Sequence, residues 1–392
     1  MINYQELKDL YSNKFISRLS RNPRKIYRNC LVGMFVTSLM IGDEQKKQKE
    51  FLINMNFCKD ILNNPKGFLL DEQLQRVDEL VQSSLKNIFV KNPSTKKTED
   101  TIIELMRKAI DYKLKETRYL LKFEDLDHVM DLKSLFSRIQ KNSNPNMSYH
   151  HWIEFDLKAG LVPSFPDFIT YADLVSLWNM FLDKREALIN EQVFNKVFLD
   201  KREALINEQV FNKDPKKVRL LNSELHALYI SSWIQGVTFV ESYLYYVFYN
   251  IQKGKYPLKS EKAQGYIKST LPDDNQIIDK LIISEFSTEQ NKDDIAHIKS
   301  LHKKYIDINK TRNRFIHASA FEENNSSHLL PLIDSKYGDL PTVLETCTNL
   351  VLEIEKLLPS DLKILFWWEA VDHPIYKDFE KGNFVKRTDI SI

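Results

Sequence analysis

Glycine is scarce in this sequence, and with it most of what builds sheets. Nine glycines and 13 prolines among 392 residues leave little material for the tight turns that join strands, so long helices and an all-α fold are expected. Three cysteines, Cys30, Cys58 and Cys347, stand apart with no CxxC pair. That excludes a thiolate zinc site, argues against a disulfide framework, and suits a reducing cytoplasm. Neither sign of charge dominates: 56 basic side chains face 54 acidic ones, so no global field recruits nucleic acid and any anionic partner must be held locally. Long hydrophobic runs are missing too. CLVGMFVTSLMIG, residues 30–42, follows a basic stretch, but its 13 residues are too few to span a bilayer and start late for a secretory signal. A buried core helix is expected there, with no membrane association.

Several chemistries lack their motifs. No GxxxxGK[ST], GxGxxG or HExxH occurs, which leaves phosphate-loop, dinucleotide and zinc-protease routes without support. His150 and His151 are adjacent and point apart, so they cannot chelate one ion. EDLDH, residues 124–128, reads as capping charge ahead of a helix. Neither a metal nor a cofactor is expected.

What is present is helical periodicity between polar breaks at 91–100, 141–148, 214–217, 269–275 and 322–328. The stretch 71–90, led by Asp71, reads as one helix. In 100–123, Ile102, Ile103, Met106, Ile110, Leu114 and Leu121 recur on one face, with Asp100 or Thr101 placed to cap it. FLDKREALINEQVFNK at 181–196 returns letter for letter at 198–213. A 17-residue step turns the second apolar stripe by about 100° relative to the first. The repeat is therefore read as a recent duplication or assembly artefact, rather than a functional arm, in a tolerant exposed connection. The domain boundary is placed just after it. Residues 1–213 form an N-terminal helical region with a sensing or regulatory role, 214–373 a second helical domain, and 374–392 a tail.

The second domain carries the chemistry. A long helix over 218–254, closed by Gly254, a helix over 293–321, and a last one over 340–358 would complete an antiparallel bundle. In the middle one, Ile298, Leu301, Tyr305, Ile308, Arg312, Phe315 and Ser319 follow a 3-4-3 spacing, which puts Arg312 in the seam. Asn313 and His317 share a flank, and His302 is expected on a flank as well. Arg312 and His317 are about 140° apart, so two packed copies would be needed to bring them together. KKVR at 216–219 and KTRNR at 310–314 supply two basic clusters, sufficient for a phosphate footprint. The aromatic run LFWWEAV, 365–371, belongs to the core or to a dimer surface.

RNRFIH, residues 312–317, matches the RNxxxH form of the signature of the HEPN superfamily, and the stretch from about 218 to 360 resembles those all-helical domains in order as well as motif. It has a first helix with an acidic residue, Glu241, in its apolar middle, then a motif helix, then a closing helix. The resemblance implies a metal-independent endoribonuclease in bacterial antiviral defence (abortive infection) or toxin activity. The site would be shared by a homodimer or higher homo-oligomer, with RNA as substrate and a phage-derived trigger or antidote protein as a further partner. It implies His317 as general base or acid, Arg312 as the clamp on the transition state, and Asn313 as the orienting amide, with Glu241 holding Arg312 and Arg314 at most touching RNA backbone. The bland reading of the same residues is a seam arginine paired with Glu241 beside a solvated histidine, in a non-catalytic scaffold that binds a partner protein or nucleotide.

Overall fold

The computed structural model describes residues 3–39, 44–65, 96–117, 120–122, 125–126, 130–132, 152–156, 160–202, 215–316 and 337–376, with single positions at 75, 79 and 81. The chain is predominantly helical and divides into two compact units, Met1–Phe165 and Pro166–Ile392.

In the first unit the helices are α1 (Tyr4–Leu10), α2 (Asn13–Arg18), α3 (Arg21–Ser38), α4 (Glu44–Asn63) and α5 (Lys96–Leu114). The apolar stretch is the core helix expected: every residue from Cys30 to Leu39 is buried. Among the described residues no helix is long and apolar enough to cross a membrane. A Cβ at Gly33 would sit 2.6 Å from Asn54 Oδ1, so the absence of a side chain is what lets α4 pack this closely on α3. Tyr11 and Tyr27 each donate a buried hydroxyl at 2.5 Å to a carbonyl, of Leu31 and Leu10 respectively. All three cysteines are free and buried.

Two expectations need correction here. Helix α5 stops at Leu114 instead of continuing to 123, because Glu116 takes a left-handed φ of 57° and the Thr117 N–H donates back to Tyr112 C=O at 2.9 Å, a Schellman stop made without glycine. Since α5 starts at Lys96, Asp100 and Thr101 lie inside it rather than at its cap. Leu121 is a strand residue, and the chain, helical in both its N- and C-terminal regions as expected, also carries one small antiparallel sheet, β1 (Leu120–Lys122), β2 (Trp152–Asp156) and β3 (Gly160–Ser164), in that spatial order. Ile153 and Phe155 of β2 are buried while Trp152 and Glu154 are half-exposed, the alternation that a half-covered strand requires. Apart from Gln75, Glu79 and Val81, which are helical, the predicted helix 71–90 lies outside the described residues, as do His150, His151 and most of EDLDH.

The second unit contains α6 (Pro166–Arg202), α7 (Pro215–Gly254), α8 (Glu261–Tyr266), a helical segment Asp274–Phe286, α9 (Lys292–Ile316) and α10 (Leu340–Leu357). Contacts of Thr170 with Ser242 at 2.6 Å and of Lys184 with Glu224 at 2.5 Å make α6 and α7 antiparallel. Helix α10 runs with α7, since Gly236 faces Leu344 and Cys347 and Tyr243 reaches Glu355. The boundary between units therefore precedes the duplication instead of following it. The first copy is no exposed connection either: Phe181, Leu182 and Leu188 are buried on a helix that packs along α7. Residues 203–213 of the second copy lie outside the described residues. Gly254 does end α7, but the left-handed position belongs to Lys255, φ 52°, with the Tyr256 N–H bonded to Ile251 C=O at 3.1 Å.

After α10 the chain folds back as a strap over Pro359–Tyr376. Glu355 accepts from the Ile364 and Leu365 N–H groups at 2.9 and 2.8 Å and from the Tyr243 hydroxyl at 2.8 Å. Asp167, fully buried at the start of α6, accepts from Trp367 Nε1–H at 2.8 Å. Tyr171 Oη lies 2.7 Å from His373 Nδ1. Leu365, Trp367 and Val371 are buried, which places the aromatic run in the core. Pro374 and Tyr376 are buried too, so the expected tail begins inside the fold; residues 377–392 lie outside the described residues.

Candidate functional site

Helix α9 has a second pattern beneath its apolar one. His302, Tyr305, Asn309 and Arg312 repeat at 3-4-3 spacing and so stack along one face. That face looks onto α7 and onto the segment Asp274–Phe286. Asp273 caps this segment by accepting from the Gln276 N–H at 3.1 Å, and Ile277–Ile282 is wound as a π-helix. The wide winding turns Ile277, Ile278, Leu281 and Ile282 into the core while Asp279 stays at the edge, 3.5 Å from His302 Nδ1.

Asp274 is the hub. Only 5 % exposed, it accepts on Oδ2 from the Tyr305 hydroxyl at 2.7 Å and from Asn309 Nδ2–H at 2.9 Å, and on Oδ1 from Asn275 Nδ2–H at 3.2 Å. Asn275 Oδ1 in turn lies 3.1 Å from His302 Nε2. Three donors for one carboxylate are what a buried anion needs.

At the outer end of this seam stands the pair anticipated from the sequence. Arg312 Nη2–H donates to Glu241 Oε1, with side chains 14 % and 26 % exposed. Its Nη1–H donates to Asn313 Oδ1 at 3.1 Å. Among the described residues Arg312 Nε–H and Asn309 Oδ1 have no hydrogen-bond partner. Phe315 anchors the same end of α9 against Tyr229 and Trp233, and Trp233 Nε1–H donates to the Ile308 carbonyl at 3.1 Å.

Carboxylates outnumber cations here. Burial pushes the Glu241 carboxyl above the usual range; Arg312 pulls it back, and Asp274 and Asp273 add to the rise. The Tyr245 hydroxyl, one turn along α7, is pushed up to about 12, by burial first and then by Asp274, Glu241 and Asp273. Burial lowers His302 against the pull of Asp279, Asp274 and Asp273, so its imidazole is mainly neutral at pH 7.

The structure thus brings Arg312, Asn313 and Glu241 together. Asn313 is exposed and Arg314 half-buried, the latter about 160° around α9 from Arg312 by helical phase. His317 lies outside the described residues. His302, expected on a flank, is buried because the π-wound segment covers that side. Sequence reading missed Asp274, Asn275 and Asn309: the 3-4-3 row on α9 was there to be found, but no spacing announces that Asp274 returns to meet it. Among the described residues no group of three His, Cys, Asp or Glu side chains is placed to hold a metal ion. No protein-family model, curated protein or solved structure matches the chain.

Proposed function

We propose that the chain is a metal-independent endoribonuclease of the HEPN type, working in bacterial antiviral defence or as a toxin, with a site completed by two copies. The observation that supports it is the joint position of Arg312 and Asn313, hydrogen-bonded to each other at 3.1 Å at the outer end of the polar seam, where Asn313 is exposed. RNA brings its own nucleophile. In the proposed reaction His317 removes the 2′-hydroxyl proton, the 2′-oxygen attacks the adjacent phosphorus, and the P–O5′ bond breaks as the leaving oxygen takes a proton. Arg312 stabilises the charge gathered on the phosphorane. Asn313 orients phosphate or imidazole, and Glu241 fixes the guanidinium. The products are a 2′,3′-cyclic phosphate and a 5′-hydroxyl.

The test is incubation of the purified protein, Arg312→Ala and His317→Ala with mixed cellular RNA in EDTA. Expected are cleavage by the parent, ends that resist 3′-adapter ligation until the cyclic phosphate is opened, and a loss of about 10²-fold or more in each variant. Parental cleavage that persists in both variants would refute the assignment.

A second reading draws on the same pair. Glu241 already occupies Arg312, and Asp273 and Asp274 reinforce the negative surroundings, which favours a non-catalytic scaffold whose arginine is structural. Under that reading Arg312→Ala lowers stability and no RNA is cut by any form of the protein.

A further inference from the structure

The face of α9 turned away from the seam carries a different message. Lys299, Lys303, Lys310 and Arg314 fall within about 60° of one another around the helix and extend over about 22 Å of its length. The three lysines are exposed and Arg314 is half-buried. Asp307 is the acidic residue among them, 3.4 Å from Lys310; among the described residues Lys299, Lys303 and Arg314 have no ion-pair partner. Lys299–Lys303 and Lys310–Arg314 are like charges one turn apart, and such pairs repel along a helix. Among the described residues only Asp307, beside Lys310, offsets that repulsion, whereas exposed Lys356 on α10 sits 2.6 Å from Glu353.

We propose that this ridge is a track for the phosphodiester backbone of an RNA strand. The choice of RNA among polyanions rests on the ribonuclease reading; the ridge itself rests on exposure, phase and missing counter-charge. Its neighbours on the exposed face, Ala296, Ser300 and Asp307, supply no aromatic platform for bases, and the apolar Ile306 beside them is half-buried. The contact is therefore with phosphates and insensitive to sequence. Asn313 lies between the ridge and Arg312 around the axis, so a strand on the ridge approaches the candidate site from the solvent side.

The experiment measures binding of a fluorescent uridylate oligomer of about 20 nucleotides in EDTA over a range of salt. Lys299→Gln/Lys303→Gln/Lys310→Gln should weaken binding about tenfold or more at low salt and reduce the slope of log affinity against log salt by about 2, or about 0.7 per lost phosphate contact. The corresponding triple Lys→Arg protein should bind like the parent. Lys255→Gln/Lys262→Gln/Lys268→Gln removes the same charge from exposed positions elsewhere in the unit and should bind nearly as the parent does. Equal losses in the two glutamine variants would reduce the effect to net charge and overturn the track, as would unchanged binding in the ridge variant. A parent that retains polyglutamate but not RNA assigns the ridge to an acidic partner and likewise overturns it. Cleavage is scored in the same samples: binding without cutting refutes the ribonuclease and leaves the track, while cutting and binding untouched by the ridge variant refute the track alone.

Discussion

Two sets of buried carboxylates in the second unit invite comparison. Glu355 and Asp167 hold the C-terminal strap, each aimed at donors from that strap and shut in by aromatic side chains. Glu241 and Asp274 line the seam of α9 instead, where Asp274 is closed in by three donors and Glu241 shares a partly exposed arginine with the solvent side. Both sets feel burial. The difference is in the partner: the strap supplies neutral amides and an indole, whereas Glu241 meets a guanidinium that also reaches the exposed Asn313. Burial alone therefore does not single out a chemical site, and neither does an unpartnered atom, since Asp167 Oδ1 lacks a partner among the described residues as Arg312 Nε does.

The largest effect should come from the strap. Glu355→Ala leaves two backbone N–H groups and the Tyr243 hydroxyl without their acceptor and should cost about 3 kcal/mol or more in urea unfolding. A loss under about 1 kcal/mol would mean that the strap is not held as described.

An intermediate effect is expected from Asp167, whose carboxyl burial lifts from the ordinary 3.8 to about 7. A group raised in the folded state binds more protons there than when unfolded. Its stabilising contribution is full below the unfolded value, falls as pH rises from about 4, and is lost above about 7. Asp167→Asn keeps an oxygen for Trp367 and removes the titration, so its melting temperature should fall less than the parent's between pH 5 and pH 8. His302 and His373, lowered mainly by burial, act in the opposite sense, which is why the parent-minus-variant difference is the quantity to plot. Parallel pH curves would remove Asp167 from the account.

The smallest effect should be that of Glu241→Gln. Burial already favours the neutral form, and the amide oxygen can still accept from Arg312, so stability should change by less than about 1 kcal/mol. A cost matching that of Glu355→Ala would erase the contrast between the two sets.

Much of the second unit was legible in sequence. Helices α7, α9 and α10 follow apolar periods that tertiary packing had no reason to override, and Glu241 in an apolar run together with Arg312 in a seam leaves each as the other's natural partner. The sheet was missed although Trp152–Asp156 alternates in the manner of a strand; scarcity of glycine says little about three short strands. Lys255 and Glu116 could not be foreseen as left-handed stops, since the backbone bonds of the Schellman motif set the conformation and the side chain merely tolerates it. Asp274 was hidden for a further reason. Its partners are 31 and 35 residues away, beyond anything that periodicity within one helix can report.

The six residues Ile277–Ile282 now look less like an irregularity than like a phase adjuster. An ordinary α-helical winding over the same stretch would swing whatever precedes it to another bearing, and the hub of the seam would face away from its two donors on α9. Insertions and deletions here should thus be felt at the arginine end, through a screw-like misalignment of parts that never touch the altered position.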